Sequence, residues 1–559
     1  MSTYRRDPVR APKLSGAALK AMVAAIESPL GAPVIDQILR DSGFERFRGA
    51  DPGSASPMQF PLPRPEVAPA VTEREALCDK VFDAPAVPVT APLATVRAMR
   101  EAYRDGASPA ETLARVHAAV DRFEASERMG FFIARHPDEA MRDAEESARR
   151  WREGEVRSAL EGVPVVIKDE VDVAGYATTL GTKFLRERAM HDATISARLR
   201  AAGAVIVGKG NMNEIGINPI GLNPHWGACR NPWDRGRITG GSSSASAAVV
   251  AAGIAPISIG ADGGGSIRIP AALCGIVGLK ATHGRVPETG VPALCWNVGH
   301  AGPMGLTVDD VAACYAVIAG DDGHDTASLG QPSPTLEGLS NADLRGLRVG
   351  VCRPYFEDAD ADVVARCEEA LRALKDAGAE VREVPPPELN SVLWSHAVII
   401  LSEMRTAMLR HLREGSARFA LDSRTNLAIA SRFTATDLVH AMRHRHRITR
   451  ETLTALRDVD VMLTPTTAIT APLIPEHALP DGESNLPVVD ALMRFVRVAN
   501  LTGCPAISVP AGFDRAGMPV GAQLMGRPWE EHALLRAARV IEASVARRTP
   551  AHHSTALLG

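Results

Sequence analysis

Between Ile238 and Ala261 the chain carries no Asp, Glu, Lys or Arg, its longest stretch without charge. A stretch of that length suits a bilayer only when it is apolar throughout. Here glycine and serine fill it and Pro256 interrupts it, so it is not a membrane span. It contains a first Gly-Ser cluster, Gly240-Gly241-Ser242-Ser243-Ser244, followed by a run of small residues. It then leads into a second cluster, Asp262-Gly263-Gly264-Gly265-Ser266. A strand is predicted immediately before that second cluster, over 255–259.

The rest of the chain bounds the setting. Its 559 residues exceed an ordinary domain of roughly 100–200. With 45% apolar and 23% charged residues it is neither a disordered tail nor a coiled coil. Its 62 basic and 66 acidic side chains nearly cancel, so no chain-wide field for nucleic acid exists. Aromatics, at 4%, are too few for base-stacking platforms. The eight cysteines form no CxxC pair and no zinc-ligand spacing, and are expected to be buried, reduced hydrophobes. The N-terminal residues lack an apolar signal core, and the expectation is a soluble, cytoplasmic protein.

Helical patterns at 93–103, 108–128 and 195–202 alternate with strand patterns at 163–167 and 204–207. A helix-rich stretch covers 360–460, and late strands are predicted at 506–509 and 520–525. This alternation predicts an α/β fold with sheet and helices in one core. Residues 13–42 predict two short helices, with Leu19, Met22, Val23 and Ile26 on one stripe after Ser15 as N-cap. Val34, Ile35, Ile38 and Leu39 form the second stripe. Either both stripes pack on the main body, or they cap a lipid-like substrate or touch a membrane surface. Nine prolines between 52 and 92 predict an extended connector. The basic run at 440–450 predicts a solvated helix face. The alternative is a ligand pair from His440 and His444, joined by Asp437, with His446 off that face.

The second Gly-Ser cluster carries the chemistry. Consecutive glycines let successive N–H groups converge beside a serine, as an oxyanion hole requires. A phosphate cradle or a plain structural turn remains open on spacing alone, although neither GxxxxGK[ST] nor GxGxxG is present. A nucleophilic serine needs a base, and no histidine adjoins either cluster. The candidate is Lys168, at the end of the apolar run Gly162–Ile167, where burial could favour its neutral form.

Lys168 in VPVVIKDEVDVAG, GGSSS at 240–244 and DGGGSIRIPAALCG at 262–275 together resemble the amidase signature family, from about residue 93 onward. The resemblance implies the amidase signature fold: a large central mixed sheet with helices on both faces. It implies a Ser-cisSer-Lys triad in which Ser266 is the nucleophile, Ser242 the bridging serine with a cis peptide, and Lys168 the base. Gly263, Gly264, Gly265 and Ser266 would supply the oxyanion hole. Asp262 and Arg268 would buttress the loop, with Arg268 also able to favour neutral Lys168 by its charge. Ser243 would hydrogen-bond nearby, and Met212 would line the substrate pocket. Asn213 and Glu214 are read as structural. One departure is Ala245, where many relatives have glycine; it is nearly as small.

Residues 10–48, 423–439, 464–485 and 490–510 resemble the plant-type fatty acid amide hydrolases in particular. That implies a helical cap and connector over 1–92 and a catalytic domain over 93–559. It implies hydrolysis of fatty acid amides such as N-acylethanolamines, with no metal or cofactor and no nucleic acid partner. Peripheral membrane contact through the N-terminal helices and a homodimer through 1–92 are further expectations. Candidate wall residues for the acyl chain are Met22, Ile26, Ile35, Leu39, Ile429 and Phe433. The competing readings are an amidase for aryl or short-chain amides, or a glutamine-hydrolysing amidotransferase A subunit.

Overall fold

The central strands Pro164–Lys168, Val205–Gly210 and Ile257–Ala261 are buried at every residue. Strands covered on both faces read as continuous apolar runs rather than alternating ones, which is why these segments stand out in the sequence. The computed structural model describes residues 6, 11–57, 62, 73–83, 85–87, 93–554 and 557–558. Among these, one mixed sheet of 11 strands forms the spine. It starts at Phe132–Ala134 and passes through Val205–Gly210, Pro164–Lys168, Ile257–Ala261 and Ala301–Gly305. It continues through Val277–Lys280, Ala506–Phe513, Pro519–Gly526 and Val461–Pro465 to Arg348–Val351 and Glu380–Glu383.

Two parallel neighbours place the chemistry. Pro164–Lys168 and Ile257–Ala261 run in register, with Ile167 opposite Ile259. Lys168 and the Asp262–Ser266 loop therefore emerge at adjacent strand C-termini, the end of an α/β sheet where ligands collect. The helix Ser244–Ala251 is built of Ser, Ala and Val and is buried throughout. Its small side chains allow close approach to the sheet: a Cβ on Gly210 would stand 3.3 Å from that of Ala245. Helices Val308–Ile318, Ala361–Asp376 and Glu531–Ser544 also pack on the sheet.

The N-terminal region forms helices Gly16–Glu27, Gly31–Asp41 and Phe44–Arg48. Ser15 stands at the N-cap, but its side chain makes no capping bond. A Cβ on Gly31 would lie 1.7 Å from the Ile26 carbonyl oxygen, so glycine is required where the first two helices turn. Leu19, Val23, Ile26, Ile35 and Leu39 are buried. Phe44 packs against Trp394 and Phe433, with ring centroids 4.9 and 5.2 Å away. Ion pairs Lys20–Asp481, Arg432–Asp36 and Arg48–Asp437 tie the rim, at 2.8, 2.8 and 2.9 Å. Among the described residues no single helix is long and apolar enough to cross a membrane. The first two helices pass that test only as a pair bent by 114°.

Three expectations are corrected. The connector is not extended throughout: Arg74–Lys80 is a helix followed by a turn at Val81–Asp83, and Leu77, Cys78, Val81 and Phe82 are buried. The prolines on either side hid this short apolar motif. The helix predicted over 108–128 runs Pro109–Arg122 and closes in a wider turn, Phe123–Glu127. The basic segment lies on helix Ala435–Asp458, but it is not a solvated face. His444 and Arg445 are buried there, and Arg443 and His446 donate to the carbonyls of Ala55 and Ser56. His440 Nε2 stands 2.9 Å from the Phe47 carbonyl and 3.2 Å from His444 Nε2. Asp437 forms the helix capping box with Thr434 and pairs with Arg48. The positive run therefore fastens residues 47–56 to the body. Among the described residues no cluster of three or more His, Cys, Asp or Glu side chains is arranged to hold a metal ion.

Candidate active site

Lys168 is buried to 1% exposure, and its Nζ donates to Ser242 Oγ at 2.9 Å and to the Ala261 carbonyl at 3.3 Å. The Gly241–Ser242 peptide is cis. Ser266 lines the same cavity as Ser242 and Lys168, and the Ser243 N–H donates to its carbonyl at 3.3 Å. No hydrogen bond joins the hydroxyls of Ser266 and Ser242 among the described residues. Such contacts often tighten only when substrate is bound. The Ser243 hydroxyl bridges both the carbonyl and the N–H of Ala261, fixing the end of the strand that precedes the loop.

The loop is organised by Asp262. Its Oδ1 accepts from the Gly265 N–H, Arg268 Nη2 and Asn500 Nδ2. Its Oδ2 accepts from the Ile267 and Arg268 N–H groups and from Arg268 Nε. Gly265 is therefore engaged, its N–H lying 2.6 Å from Asp262, and is not available as an oxyanion donor. The N–H groups of Gly263, Gly264 and Ser266 have no partner among the described residues, and these three stand ready.

Burial pushes the Asp262 carboxyl up, but Arg268, Asn500 and Lys280 outweigh it and hold it well below the usual carboxylate range. Arg268 completes its bonds with the Val496 carbonyl and the Gln523 and Asn500 side-chain oxygens. Its charge is committed to Asp262, not to Lys168. The group beside Lys168 is instead an anion, Glu170, whose Oε2 is 2.6 Å from Nζ. The cation that responds to Arg268 is Lys280, brought down to about 7 by burial and by that guanidinium.

These groups open onto a cavity of about 350 Å³, within the range of small-molecule sites. Leu39, Ile429 and Phe433 line it as anticipated. Met22, Ile26 and Ile35 do not: they pack into the apolar seam between the N-terminal helices and the body. Met212 does not reach it either, being buried with its carbonyl bonded to Asn223 Nδ2 at 2.6 Å. Asn213 and Glu214 are structural, bonded to Leu222 and to His225 respectively.

The wall residues that the sequence reading missed include Glu170, Glu288, Cys295 and His396, all with titratable side chains. Glu170 was visible two positions after Lys168, but its direction was not. Burial, with Asp325 and Glu170 nearby, pushes the Glu288 carboxyl up to about 8. Burial lowers His396 to about 4, so the ring is neutral near pH 7. A lone histidine in an apolar helix is the only sequence signal His396 offered.

Comparison with known proteins adds a second line. The profile of the Amidase family matches residues 114–535. The Fatty acid amide hydrolase of Arabidopsis thaliana is 36% identical over 570 residues, 96% of this chain and 94% of that one. The A subunit of the Glutamyl-tRNA(Gln) amidotransferase of Carboxydothermus hydrogenoformans is 35% identical over 454 residues, 76% of this chain and 92% of its own length. The solved structure of native peptide amidase from Stenotrophomonas maltophilia superposes with a TM-score of 0.71 at 28% identity, covering 82% of this chain and 98% of that one.

Proposed function

The chain belongs to the amidase signature family and is an amidase, and on that premise we propose that it hydrolyses fatty acid amides, such as N-acylethanolamines, through Ser266, Ser242 and Lys168. The observation that carries the mechanism is the buried Lys168 Nζ–Ser242 Oγ bond of 2.9 Å at the wall shared with Ser266. Ser266 Oγ attacks the amide carbonyl carbon, its proton passes to Ser242, and the Ser242 proton passes to neutral Lys168. The N–H groups of Gly263, Gly264 and Ser266 hold the oxyanion. Collapse breaks the C–N bond while the relay returns a proton to the leaving nitrogen, since an amine leaves poorly unprotonated. Water then attacks the acyl-enzyme and releases the carboxylic acid. Glu170 Oε2, 2.6 Å from Nζ, and the Ala261 carbonyl, at 3.3 Å, hold the amine in place against Ser242.

The lipid assignment is supported by the relative from Arabidopsis thaliana and by the apolar walls of Leu39, Ile400, Ile429 and Phe433. Each buried methylene contributes about 0.8 kcal/mol. Covalent labelling by a fluorophosphonate, read by intact mass with Ser266→Ala as control, tests both halves. Protection by amides of two, eight, twelve and eighteen acyl carbons should rise with length. Protection by short or aryl amides alone would keep the amidase and remove the lipid substrate. Glutamine hydrolysis needing a second chain would favour an amidotransferase A subunit. Association of two copies through 1–92 belongs to the same reading, and a monomeric mass in solution would refute it.

A further inference from the structure

The oxyanion loop is anchored at both ends and held at one point between them. At its start, the Asp262 N–H donates to the His300 carbonyl at 2.7 Å, and the Asp262 carbonyl accepts from Asn500 Nδ2 at 2.9 Å. From Gly265 onward the Asp262 carboxylate gathers the backbone N–H groups. The Gly263–Gly264 peptide lies outside both anchors. Its carbonyl has one partner among the described residues, His396 Nε2 at 2.8 Å. Since a carbonyl only accepts, Nε2 carries the proton and donates.

This peptide needs an external hold. Glycine on both sides removes the Cβ barriers that normally restrict rotation of a peptide plane. In a planar trans peptide the C=O and N–H point in opposite directions. Fixing the Gly263 carbonyl on His396 therefore fixes the Gly264 N–H on the other side. A flipped plane would present a carbonyl oxygen where the developing oxyanion needs a donor. His396 is well placed to prevent that flip: it is 2% exposed, on helix Leu389–Ala407, and a Cβ on Gly264 would lie 2.7 Å from its Cε1.

We propose that His396 is a positioning residue for amide hydrolysis, holding the Gly263–Gly264 peptide so that the Gly264 N–H faces the oxyanion. This rests on the function proposed above. It acts through the backbone and makes no contact with the reacting bond.

The test compares His396→Phe, which fills the space without a donor, with His396→Gln, whose Nε2 reaches the carbonyl, and His396→Asn, whose amide falls short. Three readouts are taken on each: kcat and KM for a medium-chain amide, inhibition by the matching aldehyde, and binding of the free fatty acid. The aldehyde adds Ser266 and places an oxyanion in the hole, whereas the acid reads the cavity alone. Expected for Phe is a loss in kcat approaching the roughly 10²–10³-fold effect of deleting one oxyanion donor. Aldehyde affinity should fall in parallel, with KM and acid binding unchanged, and Gln should recover at least tenfold over Phe and exceed Asn. A Phe variant within threefold of wild type in kcat would overturn the proposal. So would a loss of kcat without loss of aldehyde affinity, or a change confined to KM. If Phe fails to fold, Gln no better than Asn overturns it. A wild-type protein that hydrolyses no amide would instead remove the functional reading and this one with it.

Discussion

Replacing Asp262 by Asn tests whether the loop is held as described. Both oxygens of the carboxylate are fully used: Oδ1 faces three donors and Oδ2 three more. An asparagine keeps one oxygen and exchanges the other for NH₂, so whichever way the amide turns, three donors meet a donor. Arg268 also loses its counter-ion at 0% exposure. Breaking a buried ion pair on one side costs about 3–5 kcal/mol. At about 1.4 kcal/mol per factor of ten, local opening of the loop becomes more frequent by roughly a hundredfold to a few thousandfold. Hydrogen exchange of a peptide spanning 262–268 reads this directly, and kcat should fall at least tenfold with it. The pH dependence has a fixed sign. A carboxyl held below its unfolded value stabilises fully above that value, and the contribution is lost only as pH falls through the folded value. The wild-type loop should therefore keep its exchange protection down to about pH 4. Unchanged exchange and kcat in Asp262→Asn, or wild-type loop opening setting in at pH 6, would refute the reasoning.

Three further outcomes are expected. Glu288, pushed up to about 8, resists ionisation in place, so folding stability is lost progressively as pH rises from about 4.5 to 8. Glu288→Gln should outlast wild type in heat inactivation at pH 9 and match it at pH 4.5; equal half-lives at pH 9 would contradict this. Phe44→Ala removes a fully buried ring from between Trp394 and Phe433, costing about 3–5 kcal/mol of packing. Trypsin should then cut near Arg40–Arg48, and KM should rise for long-chain amides while short amides keep their kcat. Glu170→Gln weakens the hold on Lys168 Nζ made by the carboxylate 2.6 Å away, so kcat should fall several-fold with KM unchanged; an unchanged kcat would show that Ser242 and the Ala261 carbonyl place the amine on their own.

Much of the site was legible because its chemistry is compressed into 239–280, where glycine, serine and small residues at tight spacing leave few alternatives. The strands were legible for a related reason: burial on both faces turns 163–167 and 204–207 into plain apolar runs. Burial alone did not single out the base. Lys209 and Lys280 also end or occupy buried strands, yet Lys209 is paired with Asp169 at 3.3 Å, and Lys280 Nζ donates to the Ala281 carbonyl and to no serine among the described residues. Which lysine meets a serine depends on strand order, which no local pattern encodes. The same limit hid Glu170, whose carboxylate turns back to Lys168, and misassigned Met22, Ile26 and Ile35. A helix stripe shows that residues are buried, not whether they face a cavity or a seam. The basic helix was misread because its partners are backbone carbonyls 388 and 390 residues away in sequence.

A loop of consecutive glycines has no side chains with which to hold its own shape, so the groups that hold it must come from elsewhere in the chain. They do: His396, Asn500 and Gln523 reach the loop or its arginine across separations of 133 to 255 residues. Helix Leu389–Ala407 has a double part in this. Trp394 packs against Phe44 of the N-terminal region, and His396, two residues on, donates to Gly263. Residues two apart on a helix point to different sides, so one rigid element touches the N-terminal cap on one side and the oxyanion loop on another. Docking of the cap and orientation of the Gly264 N–H thus share a support. Loosening the cap at Phe44 reaches the hole only if that helix shifts as a body, whereas changing His396 reaches it with the cap in place.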